Sequence, residues 1–126
     1  MSAKSVLIAD DDADVLTALT LRCEQLGLEV RLARDAMAAL VMFRLDPPDL
    51  LIIDVNMPGG NGLSVCEMLT TDSRWAAMQA IILTGRCDQS TIDRCQDAGV
   101  HYVRKGGDVW DRVKTLLHEM LHMEVT

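Results

Sequence analysis

Two hydrophobic periods alternate along this chain, and that alternation limits the folds open to it. Short apolar runs of strand length lie at Val6–Ala9, Leu28–Leu32, Leu50–Ile53, Ala80–Leu83 and Val100–Val103. The stretches between them repeat their apolar residues at helical spacing. The first carries Val15, Leu19, Cys23 and Leu26, the second Ala36, Leu40 and Phe43, and the last Val109, Val113, Leu116 and Met120. Strand followed by helix, five times over, predicts right-handed crossovers and a parallel sheet with helices on both faces, an α/β fold. Four of the runs are nearly continuous in apolar residues, as strands covered on both sides require, whereas Leu28-Glu29-Val30-Arg31-Leu32 alternates and reads as an edge strand. Gly27, Asp46-Pro47-Pro48-Asp49 and Gly99 punctuate the helix ends. The fourth helix, near Ser90–Ala98, has only Ile92, Cys95 and Ala98 to anchor it, which makes it a candidate moving part.

A chain of 126 residues suits one domain, 1–126, with no separate output domain expected. Its apolar half is aliphatic, with only Phe43, Trp75, Tyr102 and Trp110 as aromatics. A net charge of −7 repels a phosphate backbone, so direct nucleic-acid binding is not expected. No apolar run reaches membrane-spanning length and Met1–Ser5 lacks a signal-peptide pattern, so a cytoplasmic protein without membrane insertion is the expectation. Cys23, Cys66, Cys87 and Cys95 fit neither a disulfide framework nor paired metal knuckles and read as scattered thiols.

Ligands of open parallel sheets bind beyond the carboxyl ends of the strands. There the first run meets Asp10-Asp11-Asp12, the third Asp54, the fourth Thr84-Gly85 and the fifth Lys105. Carboxylates converging at one edge repel one another unless a cation sits among them, and oxygen-only ligands favour magnesium. Asp54 follows Leu50-Leu51-Ile52-Ile53, which places a charge at the end of a buried strand. A carboxylate can also attack phosphorus when positive charge neutralises the transferring oxygens, and Lys105, Thr84 and a divalent ion supply those functions. Each residue alone has a plainer reading. Asp10, Asp11, Asp12 and Asp14 could cap the first helix, Thr84 a loop, and Lys105 could be a solvated charge. It is their joint placement at four strand ends that favours a site.

Four segments in order, VLIADDDADV, LLIIDVNMPGGNGL, AIILTGR and AGVHYVRK, make the chain resemble bacterial two-component response-regulator receiver domains over essentially its whole length, in the manner of the stand-alone chemotaxis regulators. The resemblance implies a flavodoxin-like doubly wound sheet of order 2-1-3-4-5. It also implies that Asp54 is the phosphoacceptor. Asp11, Asp54 and the backbone carbonyl of Asn56 would be direct Mg2+ ligands, with Asp10 acting through water. Lys105 would pair with phosphoryl oxygens, Thr84 would turn inward to bind them, and Tyr102 would be the aromatic switch residue that follows. Asn56 and Arg86 fall where side chains tune acyl-phosphate hydrolysis. The implied donor is a sensor histidine kinase or histidine phosphotransfer protein, and the implied output is a contact with a downstream protein, through the fourth helix, fifth strand and fifth helix. A phosphorylation-dependent dimer is left open.

One departure stands out: the family usually has proline after the lysine, often in a cis bond, and this chain has Lys105-Gly106-Gly107, so a trans bond and a freer loop are expected. That loop raises a second reading, a pseudo-receiver that binds proteins without being phosphorylated. A third comes from His118-Glu119-Met120-Leu121-His122, which matches the HExxH pattern of zinc hydrolases. Its plainer reading is a solvated helix face that also carries Asp111 and Lys114, since Glu124 is the sole local candidate for a third ligand. His101 reads as a packed or hydrogen-bonded strand residue.

Overall fold

The computed structural model describes residues 3–85 and 88–122; Arg86, Cys87 and Glu124 lie outside the described residues. Its elements in chain order are β1 (Ser5–Ala9), α1 (Ala13–Gln25), β2 (Glu29–Ala33), α2 (Ala36–Leu45), β3 (Leu50–Asp54), the two-residue strands β4 (Asn56–Met57) and β5 (Gly60–Asn61), α3 (Gly62–Thr70), β6 (Ala80–Thr84), α4 (Gln89–Ala98), β7 (His101–Arg104) and α5 (Val109–Met120). The main sheet is parallel throughout, in the order β2-β1-β3-β6-β7. Set aside the small antiparallel β4–β5 hairpin, and this is the expected 2-1-3-4-5 order.

Strand side chains alternate between two cores, because successive residues of a strand point to opposite faces. Leu7, Leu51, Ile53 and Ile82 pack with Phe43, Leu69 and Cys95 of α2, α3 and α4. Val6, Ile8, Ile52 and Ile81 pack with Leu19 of α1 and Val113 and Leu117 of α5. Every residue of β3 and β6 is buried. Each fully buried aliphatic side chain stabilises the fold by about 1.5–3 kcal/mol, so the central strands form a stiff base for whatever their carboxyl ends carry.

Several details depart from the sequence expectations. The second and fifth runs start one residue late as strands, because the amides of Leu28 and Val100 donate to the carbonyls of Cys23 and Cys95. Those two apolar residues close the preceding helix rather than open the strand. Leu32, on the edge strand, is exposed. The fifth run was expected to be covered on both faces, yet β7 is the other edge: His101 and Tyr102 are exposed and only Val103 is buried. His101 is therefore not a packed residue. The inward stripe of α5 is Val113, Leu117 and Leu121, with Leu116 and Met120 only partly buried.

The helix ends follow local chemistry. Asp12, Asp35, Asn61 and Asp88 cap α1, α2, α3 and α4 with their side chains. Gly99 ends α4 at a φ of 72°, a conformation that costs glycine little. Only Cys95 of α4 is fully buried, as its sparse apolar pattern predicts.

Candidate phosphoacceptor site

The aspartates after β1 divide their labour. Asp12 is the α1 cap, accepting from the amides of Asp14 (2.9 Å) and Val15 (3.4 Å). Asp14 sits in the first turn, where a negative charge complements the helix dipole. Asp10 is fully buried and Asp11 exposed, and an oxygen from each lies within 4.8 Å of the other and of an Asp54 oxygen. Capping thus accounts for Asp12 and Asp14, while Asp10 and Asp11 turn to the end of β3.

Asp54, 5 % exposed, ends β3 and faces Lys105 from just past β7. The Lys105 ammonium bridges two carboxylates, with Nζ 3.1 Å from Asp10 Oδ2 and 3.0 Å from Asp54 Oδ2. The second oxygen of Asp10 accepts from the Asp12 amide at 2.9 Å, and that of Asp54 from the Asn56 amide at 3.4 Å. Burial pushes the Asp54 carboxyl above its ordinary range and Asp10 adds to the rise, against the lowering pull of Lys105 and Asn56. Burial works to lower the Lys105 ammonium, but its bonds and charge contacts with Asp54 and Asp10 outweigh that and hold it raised.

Three carboxylates against one ammonium leave two negative charges uncompensated at a buried strand end. A divalent cation balances that charge, and hard oxygen donors are the set magnesium prefers. The acidic cluster therefore fits a Mg2+ site by charge and by donor chemistry. Thr84, buried at the end of β6, lies on the strand between β3 and β7, and its carbonyl accepts from the Lys105 amide at 2.8 Å. Tyr102, on β7, is 37 % exposed. No cis peptide bond occurs among the described residues, so Lys105–Gly106 is trans, as expected without proline.

Gly62 is the functional position that the sequence reading passed over. A Cβ there would lie 2.0 Å from the Asp54 backbone oxygen and 2.8 Å from Ile53 Cγ1. Only glycine lets the start of α3 lie against the strand end that carries Asp54, and the Gly62 amide secures the approach by donating to Val55 O at 2.9 Å. Asn61-Gly62 directly before an apolar run was the available signal, an N-cap followed by a residue without a side chain.

The HExxH match does not assemble. His118 is buried, contrary to the solvated face expected, with both ring nitrogens lacking a hydrogen-bond partner. His122 lies past the end of α5 at a φ of 53°. The two rings do not share one helical face, and among the described residues the one acidic, histidine or cysteine group placed to hold a metal is Asp10, Asp11 and Asp54.

A doubly wound sheet with buried aspartates and a bridging lysine at its carboxyl edge defines a class of signalling domain. The chain belongs to the response regulator receiver domain family, whose model matches residues 6–111. It is 31% identical over 121 residues to the transcriptional regulatory protein CseB of Streptomyces coelicolor, covering 93% of this chain and 50% of that protein. The first relatives are longer, so this chain spans half or less of their length. Among solved structures, a putative response regulator from Chloroflexus aurantiacus superposes with a TM-score of 0.83 at 28% identity, covering 95% of this chain and 99% of that one. A CheY-like receiver domain from Methanospirillum hungatei superposes at 0.85 with 24% identity over 96% of each chain and supports the fold. No helix among the described residues is long and apolar enough to cross a membrane.

Proposed function

We propose that this receiver domain takes a phosphoryl group onto Asp54 from a phosphohistidine on a sensor histidine kinase or histidine phosphotransfer protein. The observation that carries the reading is the buried Asp54 carboxylate, bonded to a lysine that also holds Asp10. An Asp54 oxygen attacks phosphorus, an O–P bond forms, the N–P bond of the donor breaks and the imidazole leaves with the electron pair. Asp10, Asp11, Asp54 and the Asn56 carbonyl would hold Mg2+, with Asp10 acting through water. When bound, the ion neutralises charge on the transferring oxygens.

Lys105 then exchanges a carboxylate partner for a phosphoryl oxygen, and the Thr84 hydroxyl gains a partner that exists in one state only. Differential contacts of that kind shift a two-state equilibrium. Tyr102, partly exposed on the edge strand beside β6, would follow Thr84 inward, so output would fall on α4, β7 and α5 and pass to a downstream protein. The domain promotes its own phosphorylation and dephosphorylation and acts as a unit spanning 1–126, in the cytoplasm.

Incubation with magnesium and acetyl phosphate or phosphoramidate, or with beryllofluoride, tests this by intact mass and spectroscopy. A magnesium-dependent adduct that is lost in Asp54→Asn supports it. No adduct from a folded protein overturns it in favour of a phosphorylation-independent binding module.

A further inference from the structure

Away from the acidic cluster, two sulfurs meet where α4 packs on α3. Cys66 of α3 and Cys95 of α4 carry thiols, both are fully buried, and both belong to the core on the α2, α3 and α4 face of the sheet. Cys23 lies in the other core, beneath α1. A surface bridge fixes how the two helices meet: Arg94 donates through Nε to Glu67 Oε2 at 3.0 Å and through Nη2 to Ser64 Oγ at 3.2 Å. Cys66 precedes Glu67 and Cys95 follows Arg94, so both cysteines sit at the level of that bridge, on its buried side. Each feels the other: burial pushes the Cys66 thiol up to about 12, and Cys95 adds to the rise, as a nearby charge does.

We infer that Cys66 and Cys95 form a reversible disulfide that staples α4 to α3 when a peroxide is present. While α4 is seated, buried thiols of this kind are inert. Local opening of α4, whose one fully buried residue is Cys95, brings that sulfur to solvent. Its thiolate attacks one oxygen of hydrogen peroxide, the O–O bond breaks, and the departing hydroxide takes up a proton to leave as water. The Cys66 sulfur then attacks the sulfenic sulfur of Cys95. An S–S bond forms, the S–O bond breaks, and the hydroxyl leaves with the Cys66 proton as a second water. Two thiols are oxidised and one peroxide is reduced. A disulfide draws its two Cα atoms to about 4.4–6.8 Å, and α4 is the sparsely anchored partner that can move to meet that span.

In a reducing compartment such a bond is transient and senses oxidants. Its effect is mechanical: α4 loses the freedom that a single buried side chain leaves it. The bond forms without Asp54, Thr84 or Lys105. Only its consequence for output rests on the proposed function, in which α4 belongs to the face that moves.

The whole chain, treated with hydrogen peroxide, quenched in acid and digested with pepsin without reduction, tests this by mass spectrometry. The expected product is a Cys66–Cys95 linked peptide, two hydrogens lighter than its parts, that dithiothreitol separates. Hydrogen exchange of the α4 amides is expected to slow at least about tenfold in the oxidised chain and to recover on reduction. Cys66→Ala and Cys95→Ala, each checked for folding by circular dichroism, lose the link and the slowing, and Cys23→Ala keeps both. The peptide map of the parent chain decides the pairing without any variant, and neither readout depends on phosphorylation. A link from Cys95 to Cys87 or Cys23, oxidation that stops at sulfinic acid, or a Cys66–Cys95 bond that leaves α4 exchange unchanged overturns the inference.

Discussion

The two halves of the sheet are built to different standards. In the half formed by β1 and β3, Val6–Ala9 and all of Leu50–Asp54 are buried, and the acidic residues Asp10 and Asp54 sit at the ends of those strands. In the half that ends at β7, the covering helix α4 buries one residue, and the edge strand exposes His101 and Tyr102. The carboxylates thus stand on a base that cannot easily shift, as does Thr84 at the end of the buried β6, while Lys105 follows an edge strand that gives way at lower cost. A switch needs both: rigid geometry for the chemistry and a marginal element that a few new contacts can redirect.

The sharpest way to break the comparison is to place the same small side chain in each half. Gly62→Ala, which drives a methyl into the Asp54 backbone oxygen, is expected to cost about 3 kcal/mol or more. Gly85→Ala, where a Cβ meets nothing within 4 Å, should stay within about 0.5 kcal/mol. Urea unfolding of both variants reads the contrast, and equal losses would mean that the two halves are equally rigid.

Core truncation sharpens it further. Ile52→Ala in β3 should cost about 2–5 kcal/mol, whereas Ile92→Ala on partly exposed α4 should cost about 1 kcal/mol or less. Hydrogen exchange checks the same point, with α4 amides opening well before those of β3. At the junction of the halves, Lys105→Ala leaves Asp10 and Asp54 facing each other without their shared cation, a loss of about 1–2 kcal/mol after allowance for the exposure of the lysine. Magnesium should stabilise this variant more than the parent chain in the same unfolding experiment.

The smallest effect concerns the strut from α4 to α3. Arg94 bonds Glu67 through Nε at 3.0 Å and holds its carboxyl below the ordinary 4.5. A lowered carboxylate adds stability above its unfolded-state value and loses it as pH falls through the folded one. The contribution, a few tenths of a kcal/mol at this exposure, is therefore present above about pH 4.5 and fades below it. The difference in unfolding free energy between the parent and Arg94→Ala should shrink as pH falls below that range.

How much of this was legible in the sequence varied with how local the cause was. Strand and helix alternation, the Gly99 turn and the weak anchoring of α4 follow from residues a few positions apart, and all were readable. The candidate site was readable as a set of strand ends, because parallel strands deliver their carboxyl ends to one edge. What stayed hidden depends on distant packing. Val100-His101-Tyr102-Val103 looks as apolar as a central strand, since an apolar run does not say how many neighbours it has. His118 lies one residue beyond the Val113–Leu117 inner row, and its burial is set by surrounding elements rather than by its own helix. The Lys105 bridge between Asp10 and Asp54 spans 95 and 51 residues, beyond any local pattern.

The one fully buried residue of α4 is a cysteine, and that gives the molecule a built-in clock. Cys95 is fully buried beside Cys66, so an alkylating reagent cannot reach its sulfur while the helix is seated. Each excursion of α4 bares a sulfur to solvent. The rate at which the peptide carrying Cys95 gains mass in the presence of iodoacetamide then times those excursions in the unmodified chain, with no dye, spin label or engineered reporter to disturb them.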